Sequence, residues 1–353
     1  MSFGLPYKGS KSAIAKDIIG VLPDGNRLVD LFCGGCAITD YAMKKTDKFN
    51  QFLINDIDER SPKTYMKALN GVFRNEDRWI SRQDFFKLKE TDDYVRLCFS
   101  FGNNEKTYMY GPQLEPYKRA IHHIVFWEDY APMEELCPAV VKTIHDYCDG
   151  KDRKGRRLAL GKGVSAHVKA VGSLDYWRSN PMFRAVKVKW SEDRRGISSS
   201  QWNRGSPLES LERLERLQSL KSLESLESLE CLERLQSLQS LQSLENLERL
   251  ERLERQNVQI VASADDYCNY VYKDGDVVYC DPPYENTDKY TVDFDSEAFW
   301  QWCRTRDFPV YVSEYRAPED FISVWSKEKR RLFSKSNLSA NAIEHLFLHK
   351  KWI

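Results

Sequence analysis

No stretch of these 353 residues is apolar for long enough to cross a bilayer, and Met1 to Ser10 has no apolar leader core. A membrane role is therefore not expected, and a cytoplasmic location is. Net charge is missing too: 53 Lys and Arg balance 53 Asp and Glu. Such a balance argues against a uniformly basic nucleic-acid coat. Residues 208–255 hold 11 Glu against 7 Lys or Arg, which leaves 46 basic and 42 acidic residues elsewhere. Any DNA binding would then rest on a local patch. The nine cysteines form no regular framework, and their odd number points to reduced thiols. The six histidines, His122-His123 included, show no ligand spacing, so no metal is expected.

What is present begins with Asp281-Pro282-Pro283-Tyr284, directly after the apolar run Val277-Val278-Tyr279-Cys280. Proline cannot donate to a sheet ladder and holds its predecessor extended, so the run predicts a buried strand that stops at residue 281. Asp281 and Tyr284 would then stand at the carboxyl edge of a sheet, where open α/β folds bind ligands. A carboxylate, a bend exposing the Pro282 carbonyl and an aromatic face suit a planar group bearing an amine, such as adenine or cytosine. Taken alone, an Asp-Pro-Pro sequence is often only a turn.

The amino-terminal third offers a second pattern. Leu28 to Phe32 predicts a strand running into Cys33-Gly34-Gly35-Cys36 and then a helix over Ala37 to Lys45. Glycines there let backbone approach a ligand, and the helix start offers free N–H groups. Phe52-Leu53-Ile54 predicts a further strand ending in Asn55-Asp56-Ile57-Asp58, and an acidic residue at this offset commonly meets a ribose hydroxyl. Cys33 and Cys36 have redox-like spacing but no companion pair, so they read as structural thiols.

Together Tyr7-Lys8-Gly9-Ser10-Lys11, Asp30 to Gly35, Asn55-Asp56 and Asp281 to Tyr284 resemble the ordered motifs of the Dam-like (D12 class) DNA adenine-N6 methyltransferases. Val310 to Tyr315 and Glu344-His345-Leu346-Phe347 are similar to that family's last strands. The resemblance covers 1–60 and 256–353 well, the middle loosely and the repeat not at all. It implies a Rossmann-like α/β methyltransferase sheet with helices on both faces, S-adenosylmethionine as cofactor and double-stranded DNA as partner. It further implies cofactor contacts by Tyr7, Lys11, Asp30, Phe32, Gly34, Asp56, Asp266 and Asp281, with Asp265 a competing register for Asp266. Asp281, Pro282, Pro283 and Tyr284 would be catalytic on a flipped adenine. Two positions depart from the family pattern. Tyr7 and Gly9-Ser10 stand where it has Trp and two glycines, and Cys36 where it has a further glycine. Methylation of cytosine N4, or an inactive methylase fold that binds partners through the repeat, are the competing readings.

By this reading residues 1–61 and 256–353 form the catalytic domain, and 62–206 an inserted, mainly helical target-recognition domain. In that insert aromatics alternate with basic and amide residues, as in Phe99 to Asn104, Tyr108 to Gly111, Trp177 to Asn180 and Trp202 to Gly205. Lys151 to Arg157 reads as a basic loop. Such stretches hold phosphates or read bases in DNA-binding proteins, but they equally describe a solvated surface.

Residues 207–255 form the third segment. Leucine recurs at every third position from Leu208 to Leu253, sixteen times. This is no heptad. On an α-helix the leucine stripe would wind round the axis by about 60° per triplet. An α-helix is the first expectation, with a 3₁₀ run and a small solenoid as alternatives. The segment is expected to protrude, leaving the catalytic strands intact and offering a surface for a protein partner or self-association.

Overall fold

The computed structural model describes residues 2–171, 242–253, 259–284, 294–329 and 342–353. Most of the triplet repeat, Trp177 to Asn180 and Trp202 to Gly205 lie outside the described residues. Two compact units are present. One comprises Met1–Glu76, Asp84–Met109 and Gln242–Ile353, and the other Asp77–Gln83 and Tyr110–Leu241.

The first unit is built on strands β1 (Arg27–Asp30), β2 (Gln51–Asn55), β3 (Gln259–Ser263), β4 (Asp276–Cys280), β5 (Val310–Glu314), β6 (Phe321–Lys329) and β7 (Ala342–His349). They lie in the order β3-β2-β1-β4-β5-β7-β6. From β3 to β5 every pairing is parallel, and β7 runs antiparallel to both its neighbours. Parallel strands are covered on both faces, which is why β4 is apolar throughout its centre and buried at every residue. The bidentate Arg27–Asp276 pair, at 2.8 and 2.6 Å, fixes the amino-terminal ends of β1 and β4 level with one another.

One face packs against helix Ser296–Thr305, whose first turn is capped by the Asp295 carboxylate accepting the Ala298 N–H at 2.9 Å. Val29, Val278, Val310 and Val312 meet Phe299, Trp300, Trp302 and Cys303 there. The predicted helix Ala37–Lys45 is present with those bounds. The predicted strands near 28, 52, 277 and 310 are present as well.

The end of the triplet run departs from expectation. Gln242–Glu251 is α-helical, but it does not protrude: it packs within the first unit beside helix Asp93–Cys98. Leu244, Leu247, Leu250 and Leu253 are all buried, as are Ser243 and Asn246. Three triplet steps turn the leucine stripe through about half a circle, so these side chains stay covered only because protein surrounds more than one face. Asn246 donates to Leu97 O at 3.0 Å, and Arg249 Nε donates to Gly4 O at 2.6 Å.

In the second unit the described elements are helices Glu115–Trp127, Ala131–Leu136, Pro138–Cys148 and Arg153–Val171. The expected basic loop over Lys151 to Arg157 is instead largely the first turn of the last of these. Arg156 is turned inward, its Nε donating to Val125 O at 2.9 Å. His122 is buried with Nε2 2.6 Å from Asp77 O, and burial lowers its pKa to about 4, so it is a neutral core residue. Trp79 stacks on Tyr110 at 5.7 Å. Seven described cysteines are free, whereas Cys137 is disulfide-bonded, against the expectation of nine reduced thiols.

Candidate active site

Neighbouring strands in a sheet lie about 4.8 Å apart, so the carboxyl ends of β2, β1 and β4 present their side chains within one short row. Asp56 follows β2, Asp30 closes β1, and Asp281 follows β4. The three carboxylates are close enough for Asp56 and Asp281 both to oppose the ionisation of Asp30.

Asp30 is buried. Its Oδ2 accepts the Thr39 hydroxyl at 2.9 Å, while Oδ1 has no hydrogen-bond partner among the described residues. Burial pushes its pKa up to about 8 against the Thr39 bond, so the side chain holds a proton at neutral pH. Asp56 faces the glycine turn: Oδ2 accepts the Gly34 N–H at 2.9 Å and Oδ1 the Asp58 N–H at 3.0 Å. Burial raises its pKa despite these two bonds. A carboxylate has about four acceptor positions, so Asp56 retains capacity for a further donor.

The turn itself is held tightly. Cys33 N–H donates to Asn55 O at 2.9 Å, and Leu5 N–H to Gly35 O at 2.7 Å. Cys36 adopts φ 55° and ψ 31°, the left-handed region that glycine tolerates best, at the very position where the family pattern carries glycine. Its side chain is buried, with Sγ 3.8 Å from Gly34 O. Tyr7 lies along the turn: a methyl group added at Gly34 would stand 3.1 Å from its ring. Phe32 is half buried, its ring within 5.7 Å of those of Tyr267, Phe294 and Phe299. Asp266 stands apart from this packing. It is exposed, and its carboxylate accepts the Cys268 N–H at 2.9 Å to cap a short 3₁₀ turn.

At the end of β4 four functional groups converge. Asp281, a fifth exposed, receives the Lys11 ammonium at 2.8 Å, and that ammonium lies 4.4 Å from the centre of the Tyr284 ring. Glu344 of β7, wholly buried, stands 3.5 Å from Lys11 and accepts the Tyr284 hydroxyl through the same Oε1. Its Oε2 has no hydrogen-bond partner among the described residues. Tyr315 meets the Tyr284 ring edge-on at 4.6 Å. Burial raises the Asp281 pKa; Lys11 opposes this and Glu344 adds to it. Burial works against the Lys11 ammonium, yet Asp281 and Glu344 leave its pKa raised on balance. Lys11, expected at the cofactor, thus lies on the catalytic motif.

Sequence reasoning singled out Lys11, Asp281 and Tyr284 but missed the functional placement of Glu344, Tyr315 and Thr39. A signal for Glu344 existed. It shares the period-two face of β7 with buried Leu346 and Leu348, where a charged residue is out of place.

A sheet in this order with one antiparallel strand, a glycine turn after β1, an acidic residue after β2 and an Asp-Pro-Pro-Tyr corner after β4 are consistent with a Rossmann-like methyltransferase fold. Residues 7–124, about a third of the chain, match the D12 class N6 adenine-specific DNA methyltransferase family. Over that span the chain is similar to this family, and the triplet repeat lies outside the matched residues. No curated protein matches it.

Proposed function

We propose that the protein transfers a methyl group from S-adenosylmethionine to N6 of an adenine extruded from double-stranded DNA. The observation that carries this reading is the corner at Asp281, where a nitrogen bearing N–H donors, that of Lys11, already rests between a carboxylate and an aromatic face. An adenine amine asks for the same two neighbours. A base inside a duplex cannot reach such a corner without flipping.

The row of Asp30, Asp56 and the Gly34 turn fits the cofactor. Among the described residues Asp30 Oδ1 is a buried acceptor without a donor, suited to an ammonium group, and Asp56 has acceptor positions left for a ribose hydroxyl. Tyr7 and Phe32 supply apolar walls, and Asp266 remains a candidate only through its place in the family pattern. Bound there, S-adenosylmethionine supplies an electrophilic methyl group on a sulfonium centre.

Asp281 and the Pro282 carbonyl would each accept one amine hydrogen, which draws nitrogen electron density out of the ring and aims it. Positive charge gathering on that nitrogen is stabilised by the Asp281 carboxylate where it forms. Tyr284 would stack on the extruded base, with Pro283 holding the bend, and positioning supplies much of the remaining acceleration.

Asp281→Ala is expected to abolish methyl transfer, measured with labelled cofactor, while DNA binding stays measurable. Retained turnover would defeat the reading. Mass analysis of nucleosides released from treated DNA separates N6-methyladenine from N4-methylcytosine.

A further inference from the structure

Among the described residues a single ammonium serves two carboxylates at the Asp281 corner, and that imbalance needs a reason. Lys11 stands 2.8 Å from Asp281 and 3.5 Å from Glu344, inside the unit and largely out of water. Two ionised carboxylates on one ammonium leave a net negative charge in a desolvated place. Such an arrangement is costly unless something compensates it. Glu344 is the unusual member. It is wholly buried on a strand whose same-face neighbours are leucines, and one of its oxygens has no partner among the described residues. A packing role alone would be served better by an apolar side chain of similar size.

We propose that Glu344 is a positioning residue for the methyl transfer. It draws on the charge of Lys11 so that Asp281 meets the incoming amine as an uncompensated carboxylate. Methyl transfer breaks the sulfonium S–C bond, forms an N–C bond and releases the neutral thioether, and it leaves positive charge on the amine nitrogen until one of its protons departs to water. With Lys11 wholly spent on Asp281, little field would remain to stabilise that charge. With Glu344 taking a share of the ammonium, the surplus negative charge stays at the corner for the reacting nitrogen. The Tyr284 hydroxyl bond to Glu344 Oε1 holds both the carboxylate and the aromatic ring in register with Lys11. The inference rests on Asp281 being the amine acceptor, as read above.

The groups bearing on Asp281 come from every element round it. Lys11 arrives from the amino-terminal segment, Glu344 from β7, and Tyr284 from the motif itself. Asp30 and Asp56 stand at the neighbouring strand ends, with Tyr279 and Cys280 on its own strand and Tyr315 beside Lys11. Glu344 raises the Asp281 pKa and Lys11 lowers it. Removing each charge should therefore move the acid limb of activity in opposite directions, which loss of packing would not do.

The test is the pH profile of kcat at saturating cofactor and duplex DNA for wild type, E344Q, K11M and the double variant, with melting curves alongside. E344Q is expected to lower kcat by about tenfold or more and to shift the acid limb to lower pH. K11M shifts it to higher pH, and the double variant brings it back near wild type. An acid limb that stays in place in E344Q while kcat falls overturns the proposal and leaves Glu344 a packing residue. Should E344Q not fold, the double variant, which removes both charges, carries the test alone, and a displaced limb there overturns it. Turnover retained by Asp281→Ala would instead sink the reading of the motif itself.

Discussion

Gly4 shows how little room the glycine turn after β1 leaves. Its φ is +69°, and a methyl group added there would sit 2.2 Å from Gly35 O and 2.7 Å from Ala37 N, both backbone atoms that cannot swing aside. Gly4→Ala is expected to cost about 2–3 kcal/mol from overpacking and left-handed strain together, read from urea unfolding. Gly9→Ala is the control. With φ +84° and nothing within 4 Å, it should cost only about 1 kcal/mol. Equal losses in the two variants would show that the close approach carries no weight. Asp30 gives a pH prediction with a definite sign. Its folded pKa, about 8, lies well above the ordinary value for an aspartate, so the folded state holds a proton the unfolded chain has lost. That contribution is complete below the unfolded value and disappears as pH climbs towards 8. Asp30→Asn should therefore gain in melting temperature relative to wild type as pH rises from about 4 to 8, and a constant difference would refute the assignment.

Among the elements, the helix Gln242–Glu251 is the one whose role differs most from what its composition suggests. Four leucines buried at triplet spacing contribute roughly 2 kcal/mol each, and the polar third position of the triplets adds specific bonds. Arg249 donates to the carbonyls of Gly4 and Phe3, in the segment that carries Tyr7 and Lys11 to the site. Desolvation lowers the Arg249 pKa to about 10, so it remains charged at neutral pH. Arg249→Met should destabilise the fold by about 1–3 kcal/mol, the cost of leaving buried carbonyls unpaired, and should raise KM for the cofactor more than it lowers kcat. A change confined to kcat would place the effect elsewhere. Asn246 distinguishes one triplet from its neighbours, because Ser or Arg occupies the third position of most of the others. Its bonds to Leu97 O and Asn103 Oδ1 fix which triplet lies against helix Asp93–Cys98.

At the scale of the whole molecule, local pattern made β1, β2, β4 and the helix Ala37–Lys45 legible, because burial on both faces and the glycine and proline stops leave short, clear signatures. The row of acidic residues at the strand ends was legible for the same reason. Strand order was not legible, since hydropathy carries no record of which strand lies beside which. The Lys11–Glu344 contact joins residues at opposite ends of the chain, and Arg249 reaches Gly4 across 245 positions. Neither has a local signal. The repeat misled because an isolated helix was assumed, whereas its last turns borrow the surface of a folded unit. Deleting residues 208–228, seven whole triplets that leave Cys231 in place, should leave the melting temperature within a few degrees of wild type and methyl transfer intact. Loss of folding would show that the upstream triplets also support the sheet.

The anchored end of the triplet run bears on insertions and deletions ahead of it. Copies gained or lost ahead of Gln242 arrive in steps of three residues and shift neither Asn246 nor Arg249 relative to the strands they serve. Adding or removing an intact unit upstream of that one asparagine would therefore keep both side chains in phase with the leucines around them.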